Sequence, residues 1–285
     1  MKSRTMLFII VSVLCMALLA GSVTVFGAEA EKSDLEMIQE KGVLVVGVTD
    51  FAPMDYKDDD GNWIGFDADL AAMFAEEIGV DVEFQEIDWD NKILELNAGT
   101  VDCIWNGMTL TPEVDEAMEC TISYALNAQV VVMNVDMLEQ YPDVEDMADL
   151  SFAVEAGSAG EAVAEEAGLI VNAVQNQAAA LMEVAAGTSD ACVIDMTMAD
   201  AMTGEGTSYE NLSYELALSS EEYVVGFRKG SDCAAILDEL FAGWIDDGTL
   251  ADLSEKYDNA VSIAEVEADA EVPEEEAEDA AADGE

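Results

Sequence analysis

The sequence predicts an α/β fold of two lobes, each a mainly parallel sheet flanked by helices, and three observations carry that reading. Glycine-bounded apolar runs such as 43–48 alternate with segments of helical spacing along residues 33–257, the pattern of strands joined through helices. The stretch 190–195, an apolar strand ending in an acid, repeats the arrangement at 102–106, so the plan occurs twice. At 285 residues and 51% apolar content, the chain can form sizeable cores.

Lys2 and Arg4 precede an apolar run over 6–26, followed by Gly27, Ala28, Glu29 and Ala30. A basic start, an apolar middle and an A-x-A site describe an export signal over residues 1–30. The run is also just long enough to span a bilayer, which leaves an uncleaved anchor as the other reading. Ser22 stands where a lipoprotein would carry its modified cysteine.

In the mature part, 35–39 reads as a short helix closed by Gly42, and 43–48 as a strand buried on both faces. A loop with Asp50, Phe51 and Pro53 follows, and the acids and glycine of 58–62 make a solvated hairpin turn. Leu70, Met73, Phe74 and Ile78 have helical spacing over 67–78, which Gly79 stops. Residues 80–87 alternate as a strand. Trp89 opens another helix, whose buried face is expected to be Ile93, Leu94 and Leu96.

The most informative stretch is 100–124. Val101, Cys103 and Trp105 mark a short buried strand, and Asn106, Gly107, Thr109 and Thr111 a polar turn. Thr111-Pro112-Glu113 places a hydroxyl at a helix cap, proline in the first turn and an acid behind it. Such an end presents unpaired N–H groups at the carboxyl end of a strand, where open α/β sheets bind small molecules. An ordinary strand-to-helix connection has the same spacing. Downstream, strands are expected at 129–133, 149–154, 169–174, 190–195 and 222–228. Helices are expected at 161–167, 178–186, 233–244 and 250–257, with a small-residue turn over 155–160.

The net charge of −54 excludes a nucleic-acid partner, whose phosphates would be repelled. Eleven acids and no Lys or Arg lie in 261–285, which reads as a disordered acidic tail. Setting those eleven aside leaves −43, so the body is itself acidic, which suits solubility and the attraction of cations. The absence of histidine removes His-based triads, His metal sites and the commonest general base. Cys15, Cys103, Cys120, Cys192 and Cys233 form no CxxC pair, so neither a zinc nor a redox motif is expected. Cys103 and Cys192 fit buried thiols. No carboxylate pair stands at catalytic spacing, and no catalytic residue, metal or cofactor is assigned.

The ordered pieces Gly42–Val48, Phe51-Ala52-Pro53, Gly65-Phe66-Asp67-Ala68-Asp69-Leu70 and Gly107-Met108-Thr109-Leu110-Thr111-Pro112-Glu113 carry a resemblance. With Gly157-Ser158, Asp190-Ala191, Asp195, Arg228-Lys229-Gly230 and Asp247-Gly248-Thr249-Leu250, the chain resembles the polar amino acid-binding proteins of ABC importers. The resemblance covers about 35–257 and implies the type II periplasmic-binding-protein-like fold. Lobe one would be 33–128 plus 222–260 and lobe two 129–221, crossing near 128–130 and 221–223 and closing over a ligand by a hinge.

The resemblance also implies the site. Phe51 and Trp89 would stack on the ligand, and Asn106, Gly107 and Thr109 would hold its α-carboxylate and α-amino groups. Ser158 and Ala159 would meet the carboxylate from lobe two, and Asp195 would pair with the α-ammonium. Asp50 is a further candidate in the first loop, and Trp105 is expected in the core. One residue departs from the family: Val114 stands where an arginine usually forks onto the ligand carboxylate. Either helix N-termini and the 106–109 turn hold the carboxylate alone, or the ligand is an amine without one. The function implied is a monomeric extracytoplasmic receptor, secreted or anchored, that delivers a small polar nutrient, an amino acid first, to a membrane ABC permease. An enzyme on the same frame, a dehydratase or lyase, is the alternative from another class; a sensor ectodomain is a third.

Overall fold

The computed structural model describes residues 32–264. The expected export segment and all but the first residues of the acidic tail lie outside the described residues. Ser33 caps the first helix, α1 (Asp34–Lys41), its hydroxyl accepting from Glu36 N–H while the Glu36 carboxylate accepts from Ser33 N–H, a reciprocal capping box. β1 (Val43–Val48) follows, then the hairpin β2 (Tyr56–Lys57) and β3 (Trp63–Ile64). The Asp58 carboxylate closes that turn by accepting from the Asp60 and Asn62 N–H groups. α2 (Phe66–Ile78), β4 (Asp81–Glu86), a 3-10 turn (Trp89–Asn91), α3 (Lys92–Ala98) and β5 (Cys103–Thr109) come next.

β5 is longer than the sequence suggests. Asn106–Thr109, expected as a polar turn, continue the strand, and only Leu110 and Thr111 separate it from α4 (Pro112–Ala117). Two forces hold these polar residues in the sheet. Met108 and Thr109 pair with Val224 and Tyr223 across an irregularity in the ladder, and buried hydrogen bonds satisfy Asn106 and Gly107. Gly107 sits at φ 54°, and a Cβ there would lie 2.6 Å from the Phe51 ring, so both backbone and space require glycine.

After β6 (Met118–Cys120) and β7 (Ala125–Asn127), the chain passes at Ala128 into a second sheet. That sheet contains β8 (Gln129–Asn134), β9 (Ser151–Glu155), α5 (Ala159–Glu166) as a connector, β10 (Ile170–Val174), α6 (Gln177–Ala186) and β11 (Ala191–Asp195). α7 (Met196–Met202) and β12 (Leu212–Ala217), neither of them among the elements expected from the sequence, complete it. The chain then returns to the first sheet at β13 (Glu221–Arg228) and ends with α8 (Cys233–Asp246), α9 (Thr249–Lys256) and β14 (Ser262–Ile263). β14 pairs with β7, and Val261 and Ala264 are buried, so the first four residues of the expected tail belong to the fold.

The strand orders are β14-β7-β13-β5-β1-β4 and β10-β9-β11-β8-β12. Strands connected through helices, β4-β1-β5 and β10-β9-β11, pair in parallel, as a crossover requires. Antiparallel pairing belongs to the strands that pass directly between sheets, β7 with β13 and β8 with β11 and β12. Each half is therefore mixed, its parallel part farthest from the crossings. Trp105 is fully buried, edge-on to Phe241 at 5.7 Å, which settles it as core. The four described cysteines are free.

Candidate functional site

The strand ends of both sheets face a cavity of about 340 Å³. Phe51, Trp89, Asn106, Gly107, Thr109, Ser158, Ala159 and Asp195 all line it; Asp50 is exposed and does not. Phe51, at the end of the β1 loop, is locked edge-on to Tyr223 at 6.5 Å. Trp89 is held by the 3-10 turn with its ring against the Lys92 ammonium, 5.0 Å from the centroid.

Several of these polar groups are already engaged. Asn106 Oδ1 accepts from Thr49 N–H (3.0 Å) and Thr49 Oγ1 (2.8 Å), while its Nδ2 donates to Thr49 O (3.2 Å) and Asp55 Oδ2 (2.8 Å). Asn106 thus ties the β1 end to β5 and to a buried acid. Gly107 N–H donates to Asp67 Oδ2 at 2.7 Å, and Thr109 Oγ1 donates to Glu221 Oε2 at 2.9 Å. Asn106→Ala would leave Thr49 and Asp55 without these partners. The expected cost is about 2–4 kcal/mol of folding stability, read by urea unfolding; a loss under about 1 kcal/mol would show that water replaces the amide.

Asp195, at the end of β11, is a hub. Its Oδ1 accepts from Gln129 Nε2 (3.0 Å), Tyr223 OH (2.9 Å) and the Asn127 amide, and its Oδ2 from the Gln177 amide. Burial, and then the nearby Glu221 carboxylate, push its carboxyl up to about 7. Glu221 joins the same network, accepting from Gln129, Thr109 and Ser219 at 2.8–2.9 Å. The two strand crossings are therefore bound together by amides and hydroxyls around two carboxylates.

Sequence reasoning missed Lys92, Gln129, Glu155 and Gln177, which also line the cavity. A buried face of Ile93, Leu94 and Leu96 would turn Lys92 away from the cleft. Leu94 is instead 65% exposed, since the 3-10 turn shifts the phase of the seven-residue α3. Lys92 Nζ reaches across to Gly157 O in the other half at 2.8 Å, with Trp89 O at 3.4 Å. Burial lowers its pKa, with Glu113 and Glu155 opposing that shift. Glu155 ends β9 as Asp195 ends β11, and that shared placement was the available signal. It is 2% exposed, its Oε1 has no hydrogen-bond partner, and burial, then Asp195, push its carboxyl up to about 8.

Ser158 caps α5, its hydroxyl accepting from Glu161 N–H at 3.0 Å, and its carbonyl accepts from Ala162 N–H. Of the other first-turn N–H groups, that of Ala159 remains beside the cavity, which Ala159 lines. Val114 lines it as well. Arg228 does not: it pairs with Asp34 and Asp102 within the first half.

The family described as bacterial extracellular solute-binding proteins, family 3, matches residues 44–260. Among curated relatives, the L-cystine-binding protein TcyA of Bacillus subtilis is 27% identical, covering 90% of this chain and 97% of its own. The arginine-binding extracellular protein ArtP of the same organism is 25% identical over 76% of this chain and 86% of its own. Among solved structures, the ancestral amino acid-binding protein AncCDT-1, a precursor of cyclohexadienyl dehydratase, is 30% identical with a TM-score of 0.73. The match covers 79% of this chain and 99% of that one.

Proposed function

The chain belongs to family 3 of the bacterial extracellular solute-binding proteins, and on that premise we propose that it captures an amino acid in the cavity between its lobes. It works outside the cytoplasm and passes the ligand to an ABC permease. The observation that carries the reading is the cavity itself. It is amino-acid-sized, lies between two lobes joined by two direct crossings, and holds aromatic faces beside charges of both signs. Relatives that bind L-cystine and arginine support it.

Phe51 and Trp89 give the ligand apolar walls, and Ser158 and Ala159 bring the start of α5 to it. Asp195 and Glu155 supply negative charge. Of the lining side chains, Glu113, Glu155 and Asp195 are carboxylates and Lys92 is the one cation. That excess favours amines as a second ligand class. The protein acts as a monomer and turns nothing over, although the ancestral relative preceded an enzyme. Among the described residues no helix is long and apolar enough to cross a membrane; attachment at the surface rests with the N-terminal segment.

A thermal-shift panel of amino acids and amines on refolded protein tests this reading. Ligand at a hundred times its Kd adds about 2.7 kcal/mol, an expected rise of roughly 5–10 °C for a protein of this size. Mass analysis should recover the ligand unchanged. A flat panel would remove the receptor reading, and conversion of the ligand would favour the enzyme.

A further inference from the structure

We propose that Lys92 and Glu155 are the two poles of the cavity: Lys92 takes the ligand's carboxylate, Glu155 takes a cation on the ligand, and the site selects amino acids carrying a second positive charge. The inference rests on the cavity being a solute site.

The carboxylate pole follows from which charged donor remains to join the Ala159 N–H at the start of α5. At the start of α4, Pro112 has no N–H, Val114 N–H donates to Thr111 Oγ1 (3.2 Å), and Asp115 N–H donates to Thr111 O (2.9 Å). Only Glu113 N–H is left, on a residue that is itself an acid. The side-chain donors of Asn106 and Thr109 and the N–H of Gly107 are engaged within the fold. Lys92 is different. Its ammonium carries three donors, of which two meet carbonyls, one of them weakly at 3.4 Å. It is half-buried, and no carboxylate lies within ion-pair distance of it among the described residues. A partly desolvated ammonium without a counter-ion gains most from an incoming anion.

The opposite pole follows from which acceptors remain. Both Asp195 oxygens already accept from amides and a phenol. Glu155 lines the same cavity: Thr49 and Gln177 bond to its carboxyl, while the buried Oε1 accepts from nothing. A buried carboxylate oxygen without a donor is costly unless a donor arrives. Lys92 and Glu155 feel each other's charge yet form no ion pair, so the cavity separates them. One ammonium faces two buried carboxylates. With both carboxyls ionised, a zwitterion leaves that set one negative charge in excess, and a cationic side chain neutralises it. The raised carboxyls of Glu155 and Asp195 fit a site whose cation is brought by the ligand.

The test is calorimetric titration of the refolded full chain with L-arginine, agmatine and L-citrulline. Agmatine lacks the carboxylate and citrulline lacks the side-chain charge. The native protein is expected to prefer arginine to each by at least roughly thirtyfold, the size of a charge-assisted hydrogen bond. In K92Q and K92M the preference over agmatine should fall within about threefold while the preference over citrulline persists. In E155Q the reverse should hold, and K92R should behave as the native protein. K92M keeps the stem that packs beside Trp89, so it reports even where K92Q folds poorly. Equal weakening of all three ligands in the lysine variants would make Lys92 only a latch between lobes and overturn the proposal. So would unchanged preferences, or native binding of some other solute with none of these three. Silence of the native protein toward every amino acid and amine would instead remove the solute-site reading beneath it.

Discussion

Gly157→Ala is expected to weaken ligand binding by roughly 30- to 100-fold while costing the fold only about 1 kcal/mol. Gly157 has φ 71°, and a Cβ there would lie 2.6 Å from Asp90 Cα and 2.9 Å from Asp90 Oδ1. Asp90 follows β4 of the first sheet and Gly157 follows β9 of the second, so the added methyl meets backbone that cannot swing aside. The left-handed conformation costs alanine the same whether the lobes are together or apart. The contact with Asp90 penalises only the arrangement in which they meet. Gly157 O is also the acceptor of the Lys92 bridge, so parting the lobes removes that bond too. Gly168→Ala is the control: φ is 75° there and nothing lies within 4 Å of its Cβ. It should lose the same stability and keep full affinity. Equal affinity losses in both variants would mean that backbone strain, not lobe contact, governs binding.

The second large effect is on stability against pH. Burial pushes Asp67 and Asp195 up to about 7 and Glu155 up to about 8, and raises Asp55 well above its ordinary value, Asp67 adding to that shift. In the unfolded chain these groups titrate near 4. Between about pH 4 and 8 the folded protein therefore holds more protons than the unfolded one, and stability falls as pH rises through that window. A carboxyl moved from about 4 to 7 changes stability by roughly 4 kcal/mol across it. Coupling within the Asp195 network and between Asp55 and Asp67 reduces the sum, and a total loss on the order of 5 kcal/mol from pH 5 to pH 8.5 is expected. Asp58 and Asp190 are lowered by backbone hydrogen bonds, but they titrate below this window. Urea unfolding at the two pH values reads the difference; a protein equally stable at both would contradict it. Glu155→Gln should flatten the slope and be the more stable protein at pH 8.5, because it removes a buried charge while its amide oxygen can still accept from Thr49 and Gln177. The same substitution is expected to lose cation selectivity, a conflict between stability and function at a single side chain.

The fold was largely legible because its signals are redundant. The run 43–48 is apolar at every position, glycines follow most helices, and Thr111-Pro112 announces a cap that the structure contains. Each local cue agreed with the next. Asn106 and Gly107 misled for the opposite reason: a polar residue and a glycine signal a turn unless tertiary hydrogen bonds from Thr49, Asp55 and Asp67 claim them. No local pattern contains those partners.

Within the candidate site, residues matching a motif were legible, whereas those defined by their surroundings were not. Glu155 is one of 63 acids, and only the folded surroundings bury it and leave its Oε1 without a partner. Lys92 was hidden by phase. In so short a helix, a 3-10 turn rotates every side chain relative to the periodicity read from Ile93, Leu94 and Leu96, and Leu94 rather than Lys92 faces solvent. Val114 was legible as a departure from the family. Its consequence depended on knowing which other cation reaches the cavity.

Calorimetric titration of the refolded chain against the common amino acids tests most directly whether the cavity is an amino acid site. One-to-one binding is expected, with cationic amino acids tightest and the affinity carried by the cavity between Lys92 and Glu155. No heat with any amino acid, or binding unaffected by Gly157→Ala, K92Q and E155Q together, would contradict it and leave the fold without this function.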